Sequence, residues 1–293
     1  MVVKRKIGDY VFDTINIILM CLLIIVTLYP FIYVTFASLS NPSAMIAHNG
    51  LLFAPLGFEM VSYRMVFKNP MILTGYANTL VYVIAGTFIN LFLTTLGAYA
   101  LSRKGYYWKN FFMFVIVFTM FFGGGLIPFY LVVKTLGLTD NMLALILPPA
   151  ISTYNLIIMR TSFAAIPDSM EESAKIDGAN DFIILYKIIV PLSMPVIAVM
   201  ILFYGVYHWN AWFNAMIFLR NRNLYPLQLV LREILIASST DSMTTGVGGL
   251  DKEPVGETVK YATIMVATLP ILFVYPFLQK YFVKGVMIGA IKG

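Results

Sequence analysis

A short polar stretch in an otherwise apolar chain holds the residues best suited to ionic chemistry. It covers residues 166–179, and its acids are Asp168, Glu171, Glu172 and Asp177. Ser169 and Glu172 have the spacing of a helix capping box, and Gly178 suits the left-handed residue that ends a helix. A second helix is expected to begin near Asn180 or Asp181 and run into Pro191. The stretch therefore predicts a helix-turn-helix, which either contacts a partner or serves as a solvated connector.

Polar and aromatic side chains within two apolar stretches form a second group of candidates. Aromatic rings and amides suit sugars, which present apolar faces and hydroxyls. The candidates are Ser152, Thr153, Tyr154, Asn155, Tyr204, Tyr207, His208, Trp209, Asn210, Trp212 and Asn214. Tyr and Trp near the end of a membrane span usually belong to the interfacial aromatic belt, so this alternative stays open. His208 taken alone fits a packed or interfacial histidine better.

Several kinds of chemistry find no support in the sequence. There is no Gly-Lys dipeptide, so a phosphate-binding P-loop is excluded and the chain is not expected to hydrolyse ATP. Cys21 is the only cysteine, and His48 lies far from His208, so neither a disulfide nor a metal site is expected. The net charge of +6 is explained better by basic residues that flank membrane spans than by nucleic-acid binding.

The elements that must position these residues follow from composition. The chain is 60% hydrophobic and 12% charged, with a mean hydropathy of +0.84. A soluble domain carries about 25% charged residues, so this chain has too little polar surface to stay in water. Its apolar stretches are long and apolar all round, as helices that cross a bilayer are. We therefore predict an all-α integral membrane protein.

About six transmembrane helices are predicted within one domain. The predicted spans cover residues 12–38, 76–101, 110–133, 142–163, 190–213 and 259–281. The helix-turn-helix, residues 166–189, lies between the fourth and fifth spans. Gly123–Gly125 and Pro148-Pro149 lie within spans and predict irregular backbone there. Basic residues are moderately more frequent in the segments that share one side of the membrane with the N-terminus, and such an excess is typical of the cytoplasmic side. Because an even number of spans puts both ends of the chain on the same side, both termini are predicted to lie in the cytoplasm.

The residues of the polar stretch and their spacing resemble a known sequence motif. Permeases of binding-protein-dependent ABC importers carry a cytoplasmic loop written Glu-Ala-Ala, three residues, Gly, nine residues, Ile, one residue, Leu-Pro. This chain has Glu172-Ser173-Ala174, Gly178, Ile188 and Val190-Pro191 with the same spacing. It departs from the motif at Ser173 and Val190, which replace Ala and Leu by residues of similar character.

The resemblance extends over nearly the whole chain. Tyr29-Pro30-Phe31, Asn78-Thr79, Trp209-Asn210 and Lys284-Gly285-Val286-Met287 are similar to the carbohydrate branch of that family. Within this branch the chain looks like the second, six-span permease subunit, which is comparable to the smaller maltose permease. It also resembles permeases for polysaccharide-derived oligosaccharides, such as the second permease subunit of the alginate importer.

The resemblance implies a type I ABC importer fold and a role for the loop helix in coupling to a separate ATPase. The residues implied in coupling are Glu171, Glu172, Ser173, Ala174, Asp177, Gly178 and Ala179. Glu172 would make the ionic contact, Ala174 and Gly178 would allow close backbone approach, and Asp177 would help to set the turn. The implied partners are a second permease subunit, two ATPase subunits that bind ATP and Mg²⁺, a solute-binding protein, an oligosaccharide and the bacterial inner membrane.

Two other classes of function fit the sequence less well. A secondary transporter places ionisable residues within its spans as ion relays, but here Asp13 and Arg160 lie only at span edges. A membrane enzyme would need a catalytic cluster, and none is visible. The polar, Gly-rich segment 218–258 is expected to lie outside, where Arg220, Arg222 and Arg232 would face a binding protein, an acidic oligosaccharide or solvent, with 246–250 as a flexible tip.

Overall fold

The computed structural model describes residues 7–244 and 255–290, and helices account for most of them. Within these ranges the only β-pairing is an isolated bridge between Ser40 and Phe58, so the predicted all-α class is confirmed. The chain divides into two compact units. The first comprises the described parts of Met1–Asn69 and Glu233–Leu269, and the second those of Pro70–Arg232 and Pro270–Gly293.

Fifteen α-helices, numbered in chain order, occur in the described ranges. Their bounds are α1 Ile7–Ser38, α2 Pro42–Ala47, α3 Val61–Lys68, α4 Pro70–Ser102, α5 Lys109–Phe121, α6 Leu126–Thr135, α7 Leu143–Ile146, α8 Thr153–Ala164, α9 Asp168–Ile176, α10 Asp181–Ile184, α11 Val190–Leu192, α12 Met194–Trp209, α13 Phe213–Phe218, α14 Leu227–Thr244 and α15 Val255–Ala290. A π-helical turn, Leu185–Ile189, joins α10 to α11, and a 3₁₀ turn, Arg222–Leu224, precedes α14.

The first unit is held together by polar contacts along α1, α3 and α15. The hydroxyl of Ser62 donates to that of Thr258 at 2.7 Å, and both residues are buried. The hydroxyls of Ser38 and Tyr63 lie 2.8 Å apart. Asn41 then caps α2 by accepting from two backbone N–H groups. The predicted break after the first span is therefore real, and it is stabilised by the side chain of Asn41.

The second unit is built on α4, which packs against α8 and α12. Association between membrane helices relies on close packing and hydrogen bonds, because lipid is as apolar as the helices themselves. Small residues on α4 permit the close approach. A Cβ atom on Gly75 would lie 3.1 Å from the Cα atom of Leu227, and one on Gly86 would lie 2.4 Å from the Nε2 atom of His208.

Two sharp bends interrupt apolar helix pairs in the second unit. α5 and α6 meet at 117° across the glycine triplet, where Gly125 has φ +82°, as the sequence predicts for this position. The segment Asp181–Leu192 meets α12 at 87° beside Ser193. Backbone between α7 and α8 is also non-helical, at the predicted Pro148-Pro149 site.

Helices cover each predicted span, but few are long and apolar throughout. In the described residues, α1 and α4 are long and apolar enough to cross a membrane, and the two bent pairs bring the number to four if each pair is one span. Thr258–Phe273 is a shorter apolar stretch within α15. The fold class is shown, while the boundaries of six separate spans stay a prediction.

One part of the predicted outer segment differs from expectation. The sequence predicts a polar, Gly-rich outer segment over residues 218–258, but α14 begins at Leu227 and buries Leu227, Leu229, Val230 and Leu231. Apolar residues at helical spacing outweigh the polar composition of the segment as a whole. The proposed loop tip, residues 246–250, lies outside the described residues.

Candidate functional site

The helix-turn-helix predicted from the sequence is present, and its turn is a complete Schellman motif. α9 ends at Ile176, and Gly178 follows with φ +82°. The N–H of Ala179 donates to the carbonyl of Ala174 at 2.9 Å, and that of Gly178 donates to the carbonyl of Lys175 at 3.0 Å. Asn180 then caps α10 by accepting from the N–H of Ile183. We call residues 166–189 the hairpin.

The predicted capping box at the start of the hairpin is wrong. α9 already begins at Asp168, with Pro167 at the capping position and no side-chain cap. Ser169 therefore lies inside the first turn, where its carbonyl accepts from the hydroxyl of Ser173 at 2.9 Å. Acidic residues in this turn complement the positive helix end without a capping hydroxyl.

The inward face of α9 carries a nearly buried acid, Glu171. Its carboxylate accepts from Nη1 of Arg103 and from Nζ of Lys175, each at 2.8 Å. Burial raises the pKa of the Glu171 carboxyl, but the hydrogen bonds from Lys175 and Arg103 outweigh burial and hold the pKa below its ordinary value. The same carboxylate raises the pKa of Lys175. Glu171 is therefore an ionised anchor within the chain.

Arg103 connects the hairpin to the ends of α4 and α8. Its Nη2 donates to the carbonyl of Phe163 at 2.7 Å, and its Nε donates to the hydroxyl of Ser102 at 2.9 Å. The carbonyls at the end of a helix lack intrahelical partners, so a guanidinium there satisfies them and carries favourable charge. We call Arg103, Glu171, Lys175 and the Phe163 carbonyl the charged junction.

Two further contacts strengthen this end of the unit. Nε of Arg160 donates to the carbonyl of Leu101 at 2.9 Å, which adds a link between α8 and α4. Nζ of Lys104 lies 2.5 Å from Asp168, and this hydrogen bond lowers the pKa of the exposed Asp168 carboxyl. A cavity of about 600 Å³ lies beside these residues and reaches Phe182.

The predicted coupling residues fall on different faces of α9. Glu171 and Ala174 face inward, and Ala174 belongs to a buried cluster with Phe163 and Ile184. The exposed members are Glu172, Ser173, Asp177 and Gly178, while Ala179 is half-buried. Ile176, which the sequence prediction did not include, lies among them with 87% of its surface exposed. We call Glu172, Ser173 and Ile176 the outward face.

A second polar network surrounds the Pro148-Pro149 break. Asn90 of α4 donates from Nδ2 to the carbonyls of Pro149 at 2.6 Å and Ala150 at 2.8 Å. Its Oδ1 is then free to accept, so Nε2 of His208, 2.6 Å away, carries the proton. We call Asn90, His208 and these two carbonyls the neutral junction.

Tyr204 extends this network along α12. Its hydroxyl lies 2.7 Å from that of Thr94 and accepts from the N–H of Ser152 at 3.3 Å. Non-helical backbone is tolerated within a membrane only where polar groups find partners inside the protein. The side chains of α4 and α12 supply those partners to the break before α8.

The structure divides the predicted sugar-path residues into two groups. Asn155, Tyr204, His208 and Trp209 are buried among helices of this unit. Tyr154, Tyr207 and Asn210 are exposed, as a pathway residue needs to be. Asn90 and Gly86 were missed by the sequence analysis, although an amide in the middle of an apolar span is a signal in itself.

A metal centre finds no support in the parts of the chain that the structure covers. Among those residues, no three His, Cys, Asp or Glu side chains lie close enough to hold a metal ion. Cys21 is exposed on α1 and forms no disulfide. The acids that the structure brings together are engaged with arginine and lysine instead.

Comparison with known families decides the assignment. The family of the binding-protein-dependent transport system inner membrane component matches residues 94–288, which is more than half of the chain and includes the hairpin. The chain belongs to this family. Members of this binding-protein-dependent family are ABC transporter permease subunits, which lack ATPase activity themselves. The ion-coupled alternative has no support.

Relatives within this family cover nearly the full length. The chain is 43% identical over 92% of its length to the polygalacturonan/rhamnogalacturonan transport system permease protein YtcP of Bacillus subtilis (strain 168), covering 94% of that protein. It is 41% identical over 97% of its length to protein LplC of the same organism, covering 95% of it. Both are relatives of this chain in the same binding-protein-dependent family.

A solved structure shares the fold. The chain superposes on one chain of the crystal structure of a bacterial ABC transporter involved in the import of the acidic polysaccharide alginate, with a TM-score of 0.85 and 34% identity. The superposition covers 95% of this chain and 99% of that one. The predicted type I ABC importer fold and the predicted resemblance to sugar-importer permeases are thus confirmed.

Proposed function

We propose that this chain is a permease subunit that moves an acidic oligosaccharide across the bacterial inner membrane by alternating access driven by a separate ATPase. The observation that carries the proposal is the hairpin. It presents an exposed outward face on a helix whose inward face is fastened to the ends of α4 and α8 through Arg103, which forms an ion pair with Glu171 and donates to the carbonyl of Phe163. A helix held in this way can transmit a displacement to the membrane helices.

The outward face is suited to a protein partner. Ile176 is exposed beside the carboxylate of Glu172, so an apolar side chain and an anion lie together on one surface. An exposed large apolar residue rimmed by polar groups is typical of an interaction site. We propose that Ile176 enters a cleft on the ATPase and that Glu172 pairs with a basic residue there. Ala174 and Glu171 then act indirectly, by fixing the helix.

The charged junction is the proposed route for the motion. When the ATPase moves the outward face, Glu171 pulls on Arg103, which bonds to the ends of α4 and α8. α12 follows because the neutral junction binds it to α4. The three helices are thus expected to move as one body.

The remaining partners follow from the family. A second permease subunit would complete the pathway, two ATPase subunits would bind ATP and Mg²⁺, and a solute-binding protein would deliver the sugar. This chain has no Gly-Lys dipeptide and is proposed to bind neither nucleotide nor cofactor. The hairpin and both termini are proposed to lie in the cytoplasm, as the basic residues near the spans suggest.

The substrate class is proposed from two relatives. One is the permease for polygalacturonan and rhamnogalacturonan, and the other belongs to an importer of the acidic polysaccharide alginate. Both kinds of polymer contain sugar carboxylates. The exposed residues Tyr154, Tyr207 and Asn210 are the proposed pathway residues, because rings and amides suit sugar faces and hydroxyls.

Reconstitution of the complete transporter tests the proposal. The complex in proteoliposomes, with its binding protein, should take up a galacturonate or alginate oligosaccharide only when ATP is supplied. Ile176→Asp should abolish association with the ATPase and ATP-driven uptake while leaving the chain folded, since the side chain is 87% exposed. Lys134→Gln, a change in an exposed residue of α6 in the same unit, is the control. Uptake that depends on an ion gradient and not on ATP would refute the proposal.

A further inference from the structure

An arginine in the second unit, Arg232, is stacked on a tryptophan. The guanidinium carbon of Arg232 lies 3.8 Å from the centre of the Trp212 ring. Its Nη1 donates to the sulfur of Met216 at 3.1 Å, and sulfur is a weak acceptor. No ion pair to Arg232 occurs among the residues that the structure describes. Both Arg232 and Trp212 are half-buried.

Arg103 shows what a structural arginine of this chain does. Each of its three nitrogens donates to an oxygen, and one of those oxygens belongs to a carboxylate. A partly desolvated cation normally has such partners, because burial without them costs free energy. Arg232 instead donates from Nη1 to a thioether sulfur, and the other N–H groups of its planar guanidinium remain available.

The platform under Arg232 is rigid. Trp212 packs against the buried cluster that contains Tyr82 and Leu229, and its ring meets that of Phe213 edge-on at 5.5 Å. An indole ring that is held in place also fixes the orientation of the guanidinium plane stacked on it, and with it the directions of the N–H groups. Two parallel N–H donors in that plane match the two oxygens of a carboxylate.

Apolar surface suited to a sugar ring adjoins these donors. Phe213 is 43% exposed and Met216 is 45% exposed. Sugar rings pack their C–H faces against such side chains, while a charged substituent needs a fixed counter-charge. Arg232, Trp212, Phe213 and Met216 thus combine the two requirements of an acidic sugar unit.

We propose that Arg232 and Trp212 form a carboxylate subsite for one uronic acid unit of the transported oligosaccharide. Arg232 receives the carboxylate through two N–H···O bonds, Trp212 holds the guanidinium plane in place, and Phe213 covers the apolar face of the sugar. The assignment rests on the proposed function and adds the residues that select the charge of the substrate.

The test compares one oligosaccharide in two forms, the free acid and its carboxyl methyl ester. Uptake of each by the complete transporter is measured with the same binding protein, and the ratio of acid to ester reports the contribution of the permease. Arg232→Gln should lower this ratio about ten-fold, as expected for loss of a hydrogen bond between charged groups. Arg232→Lys keeps the charge without the planar fork and should give an intermediate ratio.

The matched control is Arg220→Gln, an exposed arginine that precedes α14. It should leave the ratio unchanged. An unchanged ratio in Arg232→Gln overturns the subsite, and so does an equal loss in Arg220→Gln, which would indicate a general effect of charge. A fall in acid and ester uptake by the same factor would show a structural role only. A wild-type ratio that does not depend on the sugar carboxylate, together with wild-type uptake that requires anionic phospholipid in the bilayer, would identify a lipid headgroup instead.

Failure of the proposed function gives a different result. In that case the wild-type transporter takes up neither form with ATP, and the ratio cannot be formed. If Arg232→Gln does not assemble, Arg232→Lys and Trp212→Phe carry the test. Both should lower the ratio while the complex remains intact, and a wild-type ratio in both would overturn the proposal.

Discussion

Two junctions in the second unit fasten α4 to other helices, and they differ in charge. The charged junction joins α4 to the hairpin through Arg103 and Glu171, at a helix end where part of the side chains remains accessible. The neutral junction joins α4 to α12 through Asn90 and His208, which are 0% and 1% exposed. An ion pair would suffer a large desolvation penalty at the second place, whereas an amide and a neutral imidazole satisfy each other there.

The two junctions also differ in what they respond to. Ion pairs at a helix end respond to pH and to a charged partner, so the charged junction is suited to a site where force arrives. The neutral junction contains no ionised group and fills space tightly, so it is suited to keeping a proline break in one shape. Three of the following predictions change one junction and leave the other intact, and one changes the turn of the hairpin.

The largest effect is expected from Arg103→Ala. The substitution leaves Glu171 nearly buried without its guanidinium and frees the carbonyl of Phe163, which together should cost about 3 kcal/mol. ATP-driven uptake should fall more than ten-fold, while ATP hydrolysis continues without coupling to transport. Uptake and hydrolysis are measured in the same proteoliposomes. Normal coupling in Arg103→Ala would refute the role of the charged junction.

The neutral junction should respond to Gly86→Ala with a loss of stability. The new Cβ atom would lie 2.4 Å from Nε2 of His208, and the fully buried ring has no room to move. Overpacking of this kind costs about 1–3 kcal/mol. Thermal unfolding in detergent measures it. Gly105→Ala, where a Cβ would meet nothing within 4 Å, is the control and should unfold as the wild type does.

A smaller effect is expected at the hairpin turn. Gly178 has φ +82° with open space around it, so substitutions act through backbone strain alone. Gly178→Val should cost about 1–3 kcal/mol locally and weaken ATPase binding, whereas Gly178→Asn tolerates the left-handed region and should stay near wild type. Pull-down of the ATPase distinguishes the two. Equal binding by both variants would show that the turn geometry does not matter for docking.

The smallest effect is a dependence on pH. The folded pKa of Glu171 lies below its ordinary value of 4.5, so its ion pairs stabilise the chain fully above that value. This contribution is lost as the pH falls through the lowered folded pKa. Unfolding temperatures of the wild type should therefore fall in this acidic range more steeply than those of Glu171→Gln. Parallel curves would contradict the assignment.

The sequence predicts the position of the hairpin but not which face of α9 packs against the rest of the unit. The position of Gly178 and the cap at Asn180 follow from local backbone chemistry, so both were predictable. Which acid faces inward depends on Arg103, which is 68 residues away from Glu171 in sequence, and spacing within the hairpin cannot show this. The exposure of Ile176 was missed for the same reason.

The candidate path residues illustrate a similar limit. Tyr204 and Tyr207 lie one turn apart on α12 and look alike in sequence, yet one is buried against Thr94 and the other is exposed. Residue type predicts that a ring will be useful, but the helix packed beside it decides whether it is accessible. The proline break and the amide of Asn90 each carry a signal in the sequence, but the pairing between them, across two separate helices, does not.

The Schellman turn of the hairpin separates framework from recognition. Its two closing hydrogen bonds join backbone atoms only, so the angle between the helices does not depend on the side chains at Glu172, Ser173 or Ile176. The residues of the outward face can therefore change during evolution to fit a different ATPase, while the fold of the hairpin stays the same. Exchange of ATPases between related importers would then require changes at only a few surface positions.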